Sequence, residues 1–281
     1  IVLEHPYLER DSILIQGDHV TTETGTGCVH TAPAHGVDDH NICKEYKIDT
    51  IHALDSNGFF NQEYKDLAGL PAIKADKIVI DILKKSGTLI YEEDFHHSYP
   101  YCWRHKTPLI FASTPQWFIS MDKSGLLEGS IQAIKDVKWE PSWGYERIKS
   151  MLEGRPDWCI SRQRSWGVPI PLLINKKTGD IHPQQNLLFN EIADLIEESG
   201  IEAWDNVDVK DLVADHDDYV KATDTLDVWF DSGSTHFCVL DKLYGKDLIA
   251  DLYLEGSDQH RGWFQSSLLT GIAINGKAPY K

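Results

Sequence analysis

No apolar run in the sequence reaches the roughly 18 residues that a membrane span requires, so a membrane-spanning helix is not predicted. The opening IVLEHPYLERD has neither a basic start nor a long apolar stretch, and it does not resemble a signal peptide. Internal repeats and low-complexity tracts are also missing. The 281 residues, 41% hydrophobic and 25% charged, instead have the composition of a globular protein with a sizeable core.

Basic residues are scarce. The chain has 27 Lys and Arg against 44 Asp and Glu, which gives a formal net charge of −17. Phosphate contacts need Lys and Arg, so this balance disfavours a general nucleic-acid binder. Any contact with RNA is therefore expected to be local or to lie on parts outside this chain.

The cysteines are few, odd in number and widely spaced: Cys28, Cys43, Cys102, Cys159 and Cys238. This pattern disfavours a disulfide framework and favours a reducing compartment. The metal-like spacing is Cys102-x-x-His105, which is half of a zinc knuckle without a second pair. Zinc is therefore not expected in this chain.

Hydrophobic periodicity and turn residues predict a mixed α/β chain. Helices are predicted at 37–47, 72–86, 124–135, 145–152, 188–199 and 258–274. Short strands are predicted at 13–16, 26–31, 88–91, 109–112, 117–121 and 251–254. The last strand, followed by Gly256 and a helix, is typical of a doubly wound fold, in which ligands bind at the carboxyl ends of strands.

The segment 251–264, DLYLEGSDQHRGWF, concentrates polar groups at that strand end. Glu255 and Asp258 could hold an ammonium or ribose hydroxyls, and Gln259 could supply a directional amide. Gly256 would let a ligand approach the backbone. The alternative is that Ser257 and Asp258 merely cap the helix.

Three further motifs allow more than one interpretation. In TDTLDVWFDSGS, residues 224–234, the alternation predicts a strand, and Trp229 with Trp263 of the preceding motif could wall an apolar pocket or simply belong to the core. In CISRQRSWGVPIP, residues 159–171, a salt-bridged turn is favoured over phosphate binding by Arg162, Gln163 and Arg164.

The fourth motif, GTGCVHTAPAHGVDDH, spans residues 25–40 and contains His30, His35, Asp38 and Asp39. Three hypotheses fit it: a metal site, helix capping by the two aspartates, and a small-ligand site with a carboxylate for an amine. The spacing matches no usual zinc pattern.

Taken in order, these motifs and HSYPYCWRHKTPLIF resemble the isoleucyl-tRNA synthetases, a family of class I aminoacyl-tRNA synthetases. The resemblance runs from about residue 15 to residue 281. It implies an α/β fold with part of the β-rich editing (CP1) domain at 1–95, a bridging segment at 96–121, and the second half of a Rossmann catalytic core with insertions at 122–281.

The resemblance also implies site residues. An isoleucyl-adenylate site would be formed by Glu255, Gly256, Asp258, Gln259, His260, Trp229 and Trp263. An editing pocket would contain Asp39, gripping the amino group of mischarged valine, with His30 and, less directly, His35. Two sites are needed because a pocket rejects a substrate smaller by one methylene only about 10–200-fold, for which isoleucine against valine is the standard example.

The resemblance implies L-isoleucine, tRNA-Ile and ATP with Mg²⁺ as substrates of the whole enzyme, in the cytoplasm, without a membrane or an obligate protein partner. The ATP-binding motif of HIGH type, the KMSKS-type loop and the threonine-rich editing loop are absent from the sequence. The chain alone is therefore expected neither to activate isoleucine nor to edit efficiently. The alternatives are a valyl-tRNA synthetase fragment, a stand-alone trans-editing hydrolase, a metal hydrolase and a non-catalytic binding module.

Overall fold

A computed structural model of the chain describes residues 1–23, 25–245 and 248–281. The chain divides into two compact units, Ile1–Pro115 and Gln116–Lys281. The predicted bridging segment at 96–121 is shared between them, and the predicted division into three parts stays a prediction. No helix of the described residues is both long enough and apolar enough to cross a bilayer.

The helices and strands of the described residues are short. The helices are α1 Val37–Glu45, α2 Asp76–Ser86, α3 Leu126–Ala133, α4 Gly144–Glu153, α5 Gln185–Ser199, α6 Ala203–Asn206, α7 Val228–Gly233, α8 Lys242–Tyr244 and α9 Trp263–Asn275. Helical turns of other types cover Ala72–Lys74, Val209–Asp211, His216–Asp218, His236–Asp241 and Ser257–His260. The strands are β1 Val2–Glu4, β2 Asp11–Ile13, β3 Phe118–Ile119, β4 Trp158–Cys159, β5 Ser161–Arg162, β6 Leu173–Asn175, β7 Tyr219–Lys221 and β8 Thr225–Leu226.

The strands of the described residues form two-stranded antiparallel sheets, which pair β1 with β2, β3 with β4, β5 with β8, and β6 with β7. In the β5–β8 pair Ser161 lies opposite Leu226, which brings the motif at 159–171 beside the motif at 224–234. A parallel bridge joins Ala250 to Tyr280. This mixture of helices and small sheets agrees with the α/β class, while the finer division into editing domain and Rossmann core stays a prediction.

The helix predictions are confirmed, with ends that differ by a few residues. In α2 the chain leaves the helix at Gly87, whose φ of 73° is left-handed, and the amide of Thr88 returns to the Leu83 carbonyl. Helix α9 ends in the same way at Gly276, with φ of 67°. Glycine takes this conformation without the steric cost of a Cβ, which is why it marked both ends in the sequence.

Four of the strand predictions are wrong. The predicted strands at 26–31, 88–91, 109–112 and 251–254 are irregular or extended without a ladder. The prediction at 13–16 overlaps β2 only at Ile13, whereas 117–121 contains β3. A segment is a strand only where a neighbouring strand pairs with it through backbone hydrogen bonds. Among the described residues the segment 251–254 has no such neighbour, and the pairing ends at the bridge of Ala250.

The predicted strand within 224–234 is also corrected. Only Thr225–Leu226 is a strand, and Val228–Gly233 forms α7. The Asp227 carboxylate accepts a hydrogen bond from the Trp229 amide at 3.3 Å and so starts the helix. The alternation of apolar and polar residues over six positions was too short to separate a strand from one and a half helical turns.

Each unit has its own core. In the first unit the cluster of buried core residues is small and contains Tyr64, Leu67 and Ala75. The second unit has two larger clusters of buried residues. One contains Met121, Leu126, Ile134, Ile148, Leu152, Trp158, Leu268, Leu269 and Tyr280, and the other contains Leu173, Leu188, Ile192, Trp204 and Val213. The first of these clusters includes Leu268 and Leu269 of α9, and Tyr253 of the segment 251–264 packs against it.

Candidate functional site

Gln259 organises the turn that precedes α9. Its Oε1 accepts a hydrogen bond from the Trp263 amide at 2.9 Å, and its Nε2 donates to Asp258 Oδ2 at 3.0 Å. Gln259, and not Ser257 or Asp258, therefore caps the helix. A Cβ on Gly256 would lie 2.8 Å from Asp258 Oδ1, so the glycine makes room for that carboxylate. Glu255 and Asp258 remain exposed as acceptors.

His260 lies underneath this turn, only 5% exposed. Its ring is stacked near Trp139 and tilted against Trp143, with centroids 5.6 and 5.8 Å away. Its Nδ1–H donates to the Ser257 carbonyl at 2.7 Å, because a carbonyl can only accept. Nε2 is buried and has no hydrogen-bond partner among the described residues. The imidazole thus supports the turn from below, which distinguishes it from the exposed members of the predicted site.

Trp229 and Trp263 are held where α7 meets α9. The Trp229 side chain, 41% exposed, approaches Gly262 so closely that a Cβ there would lie 2.9 Å from Cη2 of the ring. Trp263 stacks on Tyr253 with centroids 4.1 Å apart and donates from Nε1 to the Ser232 carbonyl at 3.0 Å. Both rings are partly buried and partly accessible, as walls of a pocket must be.

Asp227 is the buried polar centre beside Trp229. At 5% exposure its Oδ2 accepts from Trp158 Nε1 at 3.0 Å and pairs with Arg162 Nη2 at 2.9 Å. Its Oδ1 accepts from the Trp229 amide. The carboxylate therefore links the motif at 159–171 to the helix that presents Trp229. Burial, together with Asp227, raises the pKa of the neighbouring Asp231 carboxyl.

The sequence favoured a salt-bridged turn at 159–171; Arg162 is ion-paired with Asp227, but it lies in β5. Besides its ion pair, Arg162 donates to the carbonyls of Cys159 and Ser161 at 2.9 and 2.8 Å. Gln163 donates to Asp224 Oδ1 at 3.0 Å. Arg164 is exposed.

The predicted editing residues lie in the first unit, around the start of α1. Asp39 Oδ2 accepts from the Ala32 amide at 3.1 Å, and Oδ1 has no hydrogen-bond partner among the described residues. His35 faces the Phe111 carbonyl, at 2.8 Å from Nδ1. His30 is exposed and contacts the ring of His5 at a centroid distance of 6.4 Å. Asp39 and His35 thus turn toward different backbone groups.

The described residues include no group of three His, Cys, Asp or Glu side chains that could hold a metal ion. The quartet of the metal-hydrolase hypothesis, His30, His35, Asp38 and Asp39, does not form such a group. The half knuckle does form a turn: Cys102 Sγ accepts from the His105 amide at 3.4 Å, and Lys106 takes a left-handed φ of 55°.

Sequence reasoning missed several residues of this region, namely Asp227, Tyr253, Trp139, Trp143 and Arg155. Arg155 donates to Gln265 Oε1 and lies over the Trp158 ring, 5.3 Å from its centroid. Of these residues, Asp227 had a usable signal, since an aspartate just before Val-Trp-Phe can start a helix. Trp139 and Trp143 lie more than a hundred residues from His260, and the sequence contains no signal for them.

Residues 20–281 match the family described as tRNA synthetases class I (I, L, M and V). The chain belongs to this family of class I tRNA synthetases.

Curated relatives include the isoleucine–tRNA ligase of Marinomonas sp. (strain MWYL1), 56% identical over 281 residues, which is 100% of this chain and 30% of the relative. Those of Idiomarina loihiensis and Alcanivorax borkumensis are each 54% identical, over 279 and 281 residues, or 99% and 100% of this chain. The chain therefore spans about 30% of the length of these relatives.

Proposed function

We propose that the chain is part of an isoleucine–tRNA ligase, which activates L-isoleucine with ATP and Mg²⁺ and transfers it to tRNA-Ile in the cytoplasm. The observation that carries the proposal is the identity of 56% along the whole chain with a protein of that name. A valyl-tRNA synthetase and a stand-alone editing hydrolase are less favoured, because the relatives at 52–56% identity bear the isoleucine name.

The amino-acid part of the activation site is assigned to the turn before α9 and to the two tryptophans. Glu255 and Asp258 present carboxylates suited to an ammonium or to ribose hydroxyls, and Gln259 fixes the backbone that bears them. Trp229 and Trp263 would enclose a branched aliphatic side chain. His260 acts by holding the turn, since its ring is buried.

The editing role is assigned to the segment from His30 to Asp39 in the first unit. The free Oδ1 of Asp39 is suited to grip the ammonium of a valyl ester, which would place the ester near an attacking water. His30 is exposed and could line the same pocket, whereas His35 is engaged with a carbonyl and has a supporting role. Editing and activation would then occupy separate units of the chain.

Ligand-induced thermal stabilisation tests both assignments on the chain as it stands. The ligands are non-hydrolysable isoleucyl- and valyl-adenylate analogues and a valyl-adenosine ester mimic. We expect stabilisation by the isoleucyl analogue that is lost in Glu255→Ala and kept in Glu128→Ala, an exposed glutamate of α3. A ligand that binds only the folded state raises stability by about 2.7 kcal/mol at a hundred times its Kd.

The outcomes separate the candidates. Stronger stabilisation by the valyl analogue would overturn the isoleucine assignment in favour of the valyl enzyme. Stabilisation by the valyl-adenosine mimic, lost in Asp39→Ala, is the expected result for editing. Response to this mimic alone would favour the stand-alone hydrolase.

A further inference from the structure

The indole of Trp263, one of the two proposed walls of the side-chain pocket, is held on its face and at its edge. Tyr253 stacks on the face, with ring centroids 4.1 Å apart and ring planes 10° from parallel. At the edge, Nε1–H donates to the Ser232 carbonyl at 3.0 Å. The backbone amide of Trp263 donates to Gln259 Oε1 at 2.9 Å. The orientation of this ring therefore depends on contacts from residues outside α9.

Tyr253 is itself held by the core. Its ring lies against the ring of Tyr280, with centroids 4.8 Å apart and planes at 43°. Tyr280 is only 5% exposed. The chain that leads to Tyr253 is anchored at Ala250, whose amide donates to the Pro279 carbonyl at 3.0 Å. Tyr253 therefore joins a buried part of the core to a wall of the proposed pocket.

The place of Tyr253 in the chain links it to the proposed site a second time. It stands two residues before Glu255, whose carboxylate is proposed to hold an ammonium or ribose hydroxyls. Within the stretch 251–254, the two leucines are 74% and 78% exposed, and Tyr253 is the residue that packs against the core cluster. The same side chain thus contacts the pocket wall and anchors the stretch that carries the carboxylate.

The aromatic ring of Tyr253, and not its hydroxyl, makes these contacts. The Ser267 hydroxyl partly offsets the rise that burial causes in the pKa of the phenol, yet neither hydroxyl has a hydrogen-bond partner among the described residues. A buried hydroxyl without a partner does not stabilise the fold, so the loss of that oxygen should be nearly neutral. Phenylalanine is therefore the conservative replacement, and an aliphatic side chain is the disruptive one.

We propose that Tyr253 is a positioning residue that determines specificity for the amino-acid side chain, by fixing the Trp263 ring relative to Glu255. Tyr253 acts here on the proposed activation site, so its role rests on the proposed function. Valine is smaller than isoleucine by one methylene, and a rigid wall leaves an empty space beside it. A mobile wall would close that space and reduce the penalty, because the cost of a cavity depends on how far the site can collapse. The stack on Tyr253 keeps the wall from closing.

Binding of the non-hydrolysable isoleucyl- and valyl-adenylate analogues to the whole 281-residue chain tests this role, with the ratio of the two dissociation constants as the readout. We expect Tyr253→Leu to lower the preference for the isoleucyl analogue about fivefold, since an aromatic contact of this kind contributes a factor of that order. Tyr253→Phe should keep the ratio of the wild-type chain, because it retains the ring.

Tyr145→Leu is the matched control, since Tyr145 is a partly buried tyrosine that packs against the same core cluster. It should lower stability without changing the ratio. The proposal is overturned if Tyr253→Leu weakens both analogues equally, or if Tyr145→Leu changes the ratio as much as Tyr253→Leu does. Tyr253→Met, which fills the space with a flexible side chain, takes the place of the leucine variant if that variant does not fold.

Solvent exchange of the Trp263 Nε1–H, followed by NMR, needs no ligand and separates this proposal from the proposed function. We expect faster exchange in Tyr253→Leu than in Tyr253→Phe or the wild-type chain, because the freed ring would release its bond to the Ser232 carbonyl. Unchanged exchange in Tyr253→Leu would overturn the role of Tyr253 even if the isoleucyl analogue binds. A wild-type chain that does not prefer the isoleucyl analogue would overturn the proposed site, and the specificity role of Tyr253 with it.

Discussion

The segment that carries Asp39 in the first unit and the segment that carries Gln259 in the second both place polar side chains at the start of a helix. The two segments differ in the buried residues that support them. Under Gln259, the ring of His260 packs against two indoles and α9 is buried along eight of its residues. Under Asp39, α1 buries Cys43 alone. The accuracy with which a binding group is held depends on this support more than on the group itself.

The largest expected loss of stability comes from a substitution in the core cluster that includes α9. Leu268→Ala removes a fully buried side chain from the large cluster and should lower the free energy of unfolding of the second unit by about 3–5 kcal/mol. Leu67→Ala, in the small core of the first unit, should cost about 2 kcal/mol, because fewer buried neighbours surround it.

Urea unfolding separates the two units. All tryptophans except Trp103 lie after residue 115, so fluorescence follows the second unit and circular dichroism follows both. Equal losses of unfolding free energy from Leu268→Ala and Leu67→Ala would mean that the size of the buried cluster does not determine how firmly the sites are held.

Asp227→Asn should have the next largest effect. It removes the charge that pairs with Arg162 and accepts from Trp158, and we expect a loss of about 2–3 kcal/mol, below the usual range for buried pairs because Arg162 is 40% exposed. Because Asp227 starts α7, the emission of Trp229 should also shift and the isoleucyl analogue should bind more weakly. Asp224→Asn, which alters a single hydrogen bond from Gln163, is the control. A change in stability without any change in analogue binding would argue against a role for Asp227 in positioning Trp229.

Asp39→Ala tests how firmly the loop before α1 is held in the first unit. It removes the bond to the Ala32 amide, and the expected loss is about 1 kcal/mol, as for other local side-chain to backbone bonds at a helix start. Asp38→Ala is the matched control, because Asp38 is exposed in the same helical turn. Amide hydrogen exchange at Ala32 and in α1 measures the difference. Equal exchange in the two variants would show that the Asp39 bond does not hold the loop.

The smallest effect is a pH dependence of the second unit. Burial lowers the pKa of His236 from its usual 6.5, with Asp241 opposing. The unfolded chain then takes up a proton before the folded chain does, so the free energy of unfolding should fall as the pH decreases below about 6.5, until the lowered pKa is passed. His236→Gln should flatten this slope, because glutamine does not titrate, while its amide can still reach Thr270 Oγ1.

Part of the fold follows from local sequence. The ends of α2 and α9 were predictable because Gly87 and Gly276 take left-handed conformations that other residues avoid. The order of the motifs was sufficient for the family, which the match over residues 20–281 confirms. The roles of the site residues stay predictions, although the structure does bring Trp229 and Trp263 to one junction.

By itself, then, the sequence determined the family, the mixed α/β character and the positions of the longer helices, because motif order and helix ends are properties of neighbouring residues. Only the tertiary structure decided that Val228–Gly233 is a helix, that His260 lies buried between indoles, and that Arg155 lies beside Gln265. The last two features depend on contacts between residues more than a hundred positions apart, such as Arg155 with Gln265, at a separation of 110. Local periodicity contains no information about such contacts.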